Sequence, residues 1–258
     1  MGPSLTRLRR RPRFTIVELL IVIAIIVILV ALLLPLLGST RRLTNRISCM
    51  NNMRQIGIAT NMYCADSDRY LPNPNWYSWE PGWDYAGWLY DFNYKDNCTS
   101  RNDAEANLTQ LLEDTFATGE PGPATGTLFT YIRSKELYRC PAHNGPYDET
   151  TTELIGSYMM NGAVCGYRDR EVVYTIEKFR PESILFWEAN EFMTSPGHAF
   201  NDGSSHPYEG ITHWHGGEGS NVIYIDGHAD WYTRDQWATA EAAGQNGGSE
   251  LWCEPDVW

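Results

Sequence analysis

From Leu19 to Leu34 every position is Leu, Ile, Val or Ala; Pro35 interrupts the run, and Leu36 and Leu37 complete it. A hydrocarbon core of about 30 Å takes roughly 20 apolar residues in a helix, so this segment predicts a membrane span over 14–37. Beyond it the pattern changes to a period of three to four. Ile47, Met50, Met53, Ile56 and Tyr63, with Thr60 between the last two, form an apolar stripe on one face of a helix. The two stretches read as one helix from about 14 to 66, kinked at Pro35, whose second part, 38–66, is an amphipathic stalk. Further on the period shortens. Ile184–Trp187, Ile211–Trp214, Val222–Ile225 and His228–Tyr232 are short strand candidates, and Asp226-Gly227 is a tight turn signal inside a hairpin over 211–232. The predicted fold is α+β: a long N-terminal helix packed on a small antiparallel sheet, with loop-rich insertions.

Charge divides the chain at the same place. Residues 1–54 hold nine arginines, no lysine and one acid, which leaves 11 basic and 31 acidic residues of the chain's 20 and 32 for the rest, a net of −20. So acidic a domain excludes recognition of nucleic acid through its phosphates and predicts a solvated surface, with binding of a divalent cation by carboxylate oxygens as the second option. The organisation is a basic leader over 1–13, the span, the stalk and an exported acidic domain over 67–258. Within that domain 73–123 is an aromatic-rich insert, with nine aromatic residues between Trp76 and Tyr94. Such density suits a satellite core covering the sheet, or a surface that stacks on glycans or contacts a protein partner. Six cysteines with wide spacing and no CxxC leave the pairing open. Cys49, close to the span on the stalk, is expected to stay free.

One acid, Glu18, stands at the start of the apolar run. A carboxylate there is costly without a partner. A cleaved secretory signal does not fit, because the run is too long and no small-x-small site follows it. The string Phe14-Thr15-Ile16-Val17-Glu18-Leu19-Leu20 resembles the start of type IV prepilins and type II secretion pseudopilins. The resemblance implies cleavage before Phe14 by a prepilin peptidase and methylation of the new amine. It also implies pairing of Glu18 with the amine of a neighbouring subunit during assembly, with Leu19–Leu37 in the membrane. The family usually has Gly before the cut, where this chain has Arg13. Arginines at 7, 9, 10, 11 and 13 favour a cytoplasmic N-terminus. The implied location is a single pass of the inner membrane with the globular domain periplasmic or at the cell surface.

A narrower resemblance starts in the stalk. Cys49-Met50-Asn51-Asn52-Met53-Arg54-Gln55-Ile56-Gly57-Ile58-Ala59, then Met62-Tyr63 and Asp66, then Cys140-Pro141 and Ser157-Tyr158-Met159-Met160-Asn161, resemble a large pilin-like family of planctomycetes and related bacteria. That family is named for a C-terminal His, nine residues, then Asp-Gly, and is labelled processing-associated. Here ten residues separate His215 from Asp226-Gly227. Physically the motif reads as a closing hairpin. Asp226 is expected to cap its own turn, with Gly227 at positive φ, and His215 to bond Asp226 or a loop carbonyl. The alternative is a metal site from His213, His215, Asp226 and His228, since an HxH pair on a strand puts both imidazoles on one face. Glu188 and Glu191 form a pair of acids at a strand end, expected to be solvated. No G-x-S-x-G, P-loop or H-E-x-x-H occurs. The expected function is structural: a membrane-anchored subunit assembling with other pilin-like subunits, with no catalytic residue and no cofactor. The alternative is a membrane-anchored surface binding module that does not polymerise, and third comes a metal-binding enzyme.

Overall fold

The computed structural model describes residues 15–75, 86–91, 125–143, 156–166, 173–188, 190, 203–243 and 250–253, apart from the side chains of 35–37. The leader, Phe14, Glu191 and most of the aromatic insert lie outside the described residues. The chain divides into two compact units, Met1–Arg41 and Arg42–Trp258.

In the first unit the helix α1 (Ile16–Asp66) begins, and it runs through Pro35 without a break. It is long and apolar enough to cross a membrane, with a mean hydropathy of 3.5 in its most apolar window. Every Leu, Ile and Val from Ile16 to Leu34 is exposed. A helix apolar on all sides and exposed among the described residues has the surface of one that could lie in lipid. At its start Thr15 and Glu18 form a reciprocal capping box. The Thr15 N–H and hydroxyl donate to Glu18 Oε2 at 2.8 Å, and the Glu18 N–H donates to Thr15 Oγ1 at 3.2 Å.

The second unit is built on a sheet of five strands, β1 (Tyr158–Asn161), β2 (Ile184–Glu188), β3 (Ser204–Ser205), β4 (Gly219–Tyr224) and β5 (Ala229–Thr233), in the order β3-β1-β2-β4-β5. β1, β2 and β4 are buried at every residue, whereas β5 at the edge is mostly half-buried. Strands covered on both faces carry continuous apolar runs rather than alternation, as Ile184-Leu185-Phe186-Trp187 does. The sheet is mixed and not purely antiparallel, because β3 joins β1 in parallel. Parallel neighbours need a long connection, and β1 and β3 are separated in sequence by more than forty residues, β2 among them.

The outer part of α1 covers one face. Its buried line is Cys49, Met53, Ile56, Thr60 and Cys64, each fully buried, whereas Ile47 is exposed and Met50 half-buried. The stripe is therefore rotated slightly from the one predicted, towards the two cysteines. Gly57 lies where the helix crosses β4: a Cβ there would be 3.0 Å from Ile223 Cγ2. Trp88 joins this face, edge-on to Phe186 with ring centres 5.0 Å apart. With Leu89 and Tyr90, also fully buried, it makes the described part of the insert core rather than surface. On the other face α3 (Arg234–Ala242), which follows the four-residue α2 (Phe129–Ile132), sets Trp237 against Trp187 at 5.3 Å. Its start is fixed by a capping box between Thr233 and Gln236.

The segment 211–214 is not a strand. It leads into a 3-10 turn, Trp214–Gly216, in which His215 takes φ 55° and ψ 21°. Gly216 and Gly217 follow at φ 92° and 78°. Three successive positive-φ residues reverse the chain and forbid the extended geometry that an HxH pair on one strand face requires. The hairpin itself is β4–β5, as expected from the Asp226-Gly227 signal. Asp226 Oδ1 accepts the His228 N–H at 2.9 Å, and Gly227 has φ 89°.

Candidate functional site

One cluster of buried polar groups in the second unit lies where the stalk near Arg46 and Cys49 meets one end of the sheet. Glu188 ends β2. After the apolar run Ile184–Trp187 its pleat position points to the face covered by α1, and it is fully buried. The expectation of a solvated acid fails because the strand extends one residue further than its apolar run and is covered there. The carboxylate is held on both oxygens: Oε2 accepts the Asn221 N–H at 2.9 Å, and Oε1 accepts Asn221 Nδ2 at 3.3 Å. Asn221 Nδ2 also donates to the Arg46 carbonyl on α1 at 3.2 Å.

His215 completes the pair. Its Nε2 is 2.9 Å from Glu188 Oε1, with side chains 1% and 0% exposed respectively. The left-handed backbone at His215 directs the ring inward, so it meets Glu188 and not Asp226. The ring is edge-on to Trp231 at 6.2 Å, and the Arg46 guanidinium stacks 3.6 Å above the Trp231 ring centre. Nδ1 of His215 is buried and has no hydrogen-bond partner among the described residues.

Next to the pair lies a disulfide between Cys49 and Cys140, with Cα atoms 5.0 Å apart. Cys49 is therefore bonded, contrary to expectation. It belongs to the buried line of the stalk, with Met53 four residues on, so the helix carries it beneath the Cys140-Pro141 segment. Cys140 Sγ is 3.5 Å from His215 Nε2 and accepts the Ala142 N–H at 3.4 Å. The Cys140 N–H donates to Ser157 Oγ at 2.9 Å, and His143 Nδ1 lies 2.8 Å from that same oxygen. His143 stacks on Trp214 at 4.0 Å. Burial, with the Arg139 charge behind it, lowers its pKa to about 3, which keeps the ring neutral. Burial, with Glu188 next, pushes the Tyr158 phenol well above its ordinary range, and that phenol accepts Asn52 Nδ2 at 3.4 Å. A cleft of about 490 Å³, lined by Ser48, Asn52, Arg139 and His143 among others, reaches Cys140.

The ligands suggested by the hairpin are distributed differently from the set expected. His213 precedes the 3-10 turn, His215 turns inward to Glu188, and Asp226 pairs with His228, Oδ1 to Nδ1 at 2.5 Å, on the half-exposed hairpin turn. Among the described residues, the group of His, Cys, Asp and Glu atoms close enough to share an ion is instead Cys49, Cys140, Glu188 and His215. Cys49 lies outside the predicted stripe, and the signal that could have placed it is its position four residues before Met53. Glu188 gave no local signal beyond following an apolar strand.

The geometry limits the chemistry. In a cysteine–histidine–acid relay one ring nitrogen faces the sulfur and the other the acid. Here Nε2 faces both and Nδ1 faces neither. The arrangement converges on one point rather than passing a proton along a line.

Residues 39–208 match the family described as "Protein of unknown function (DUF1559)". No curated protein and no solved structure matches the chain. The matched stretch covers more than half of the sequence and contains the stalk, Cys140, β1 and β2. With its apolar N-terminal helix, the chain belongs to this DUF1559 family, a family of planctomycete-type pilin-like proteins.

Proposed function

We propose that the chain is a membrane-anchored, pilin-like structural subunit, and not an enzyme. The observation that carries this reading is a single helix, α1, with two different surfaces. It is exposed and apolar on all sides from Ile16 to Leu34, and from Cys49 to Cys64 it contributes a buried line to a folded domain. A plain anchor needs neither the continuity nor an acid at its start. The function assigned to Glu18 is to receive the N-terminal amine of a neighbouring subunit once Phe14 has been exposed by a prepilin peptidase and methylated. The capping box with Thr15 supports this, since it fixes the carboxylate at the helix start, where a terminal amine would arrive. A buried carboxylate and a buried ammonium each cost several kcal/mol alone, and pairing removes most of that penalty. The acidic domain then lies outside the inner membrane, and the assembly is of the type IV pilus or type II secretion kind.

Two measurements test the reading. The intact mass of the protein from membranes is expected to show loss of residues 1–13 and gain of one methyl group; an unprocessed mass counts against it. Glu18→Ala is expected to insert in the membrane normally and to lose protomer crosslinking. Unchanged crosslinking would leave a plain anchor that displays the domain without polymerising.

A further inference from the structure

Four side chains from four separate parts of the fold converge on one buried point. Cys49 comes from the stalk, Cys140 from the segment before β1, Glu188 from the end of β2 and His215 from the turn before β4. One potential ligand atom from each lies within 4.8 Å of all the others, and all four residues are buried. His215 reaches the point only through a left-handed backbone conformation, which a residue with a Cβ adopts rarely and which is strain in search of a reason. The same Nε2 faces the Cys140 sulfur and the Glu188 carboxylate.

We propose that in the reduced chain Cys49, Cys140, Glu188 and His215 hold one zinc-class cation, and that the disulfide is the metal-free form of the same site. The proposal is independent of the pilin reading. Two thiolates, an imidazole and a carboxylate are the donors a borderline-soft, tetrahedral ion selects, whereas calcium and magnesium take oxygen ligands. With four protein ligands the site is closed, so it staples α1 to the sheet in either form and offers no open position for catalysis. The cleft ending at Cys140 is the route for reagent and ion.

The exchange balances. Loading the reduced site releases the two thiol protons. Oxidation by a disulfide reagent of the glutathione type forms the Cys49–Cys140 bond and transfers two electrons to the reagent's S–S bond. That bond breaks to two thiols, which take two protons from solvent, and the ion leaves to water.

The test uses the full chain in detergent. One half is kept oxidised. The other is reduced without oxygen by a water-soluble phosphine, which takes oxygen from water to become its oxide as the disulfide becomes two thiols. Both halves are given zinc, dialysed and analysed for bound metal. The expected result is close to one zinc per reduced chain and none per oxidised chain. Cobalt in place of zinc is expected to give thiolate charge-transfer bands and tetrahedral visible absorption. His215→Ala is expected to weaken binding by at least about 10–100-fold, the loss already typical of residues that merely support a ligand. Cys49→Ser with Cys140→Ser is expected to abolish binding under either condition. Three outcomes overturn the proposal. The reduced wild-type chain holds no stoichiometric metal, the double serine variant still binds it through Cys64, Cys98, Cys165 or Cys253, or reduction abolishes the cooperative melt and zinc does not restore it. The wild-type comparison of the two redox forms decides the case even where a variant fails to fold.

Discussion

At the scale of single residues, the same side-chain types have opposite roles according to their surroundings. Asp226 and Glu188 both face a histidine, Asp226 on a half-exposed turn and Glu188 in full burial. Asp226 serves its own turn through the His228 N–H, so Asp226→Ala is expected to lower stability by about 1 kcal/mol, the usual net worth of such a bond. Melting curves of the variant beside the wild type check it; a loss of several kcal/mol would mean the turn does more than close a hairpin. Glu188 instead anchors Asn221 and His215, which themselves reach Arg46 and Cys140. The turn residue was legible in the sequence because Asp-Gly chemistry is local. The partner of His215 was not, because a left-handed residue between the predicted strand and a glycine pair redirects the ring.

At the scale of elements, the stalk shows how far periodicity reaches. Spacing by three and four placed Met53, Ile56 and Thr60 inward, and all three are fully buried. It failed by part of a turn at Ile47, which is 58% exposed, because apolar residues near a membrane span have no need of a protein partner. Met53→Ala is accordingly expected to cost about 2–5 kcal/mol, the range for emptying a buried site of that size. Ile58→Ala, at a position 58% exposed, is expected to change stability far less. Denaturant midpoints of the two variants make the comparison; equal losses would mean that the face containing Ile58 is covered as well. The sheet was read correctly in the strand begun by Ile184–Trp187 and in its final hairpin, where a continuous apolar run and a turn signal occur. Its parallel edge pairing through the two-residue β3 carries no periodic signal and was not read.

At the scale of the whole molecule, long-range ties and buried titratable groups set the stability. The Cys49–Cys140 bond spans 91 positions. Replacing both cysteines by serine is expected to cost roughly 2–5 kcal/mol, mainly by freeing the unfolded chain. Chemical denaturation of the variant against the oxidised wild type measures it, and an unchanged midpoint would remove the bond from the folded chain. Burial lowers the pKa of His143 to about 3 and that of His206 to about 4, against an ordinary value of 6.5. In the window from about 6.5 down to those values the unfolded chain binds protons that the folded chain does not. Stability is therefore complete above about pH 6.5 and falls as pH drops through the window. Melting temperatures between pH 7 and pH 4 are expected to decline, and His143→Gln is expected to flatten the decline; a profile rising towards acid would place these rings in contact with water.

The amino-acid sequence alone determined what depends on neighbours along the chain. The apolar run of the first unit, the amphipathic stalk, the central strands and the Asp226-Gly227 turn all follow from periods of three to four residues, continuous apolar stretches or local turn chemistry. Only the tertiary structure decided which distant groups meet. The Cys49–Cys140 bond joins residues 91 apart, and His215 meets Cys140 at a separation of 75 and Glu188 at 27. Those encounters are set by the strand order β3-β1-β2-β4-β5 and by the face on which α1 lies. Periodicity says which side of an element is buried, but not what lies against it. A carboxylate, an imidazole and two sulfurs become one site only when four elements bring them to the same point.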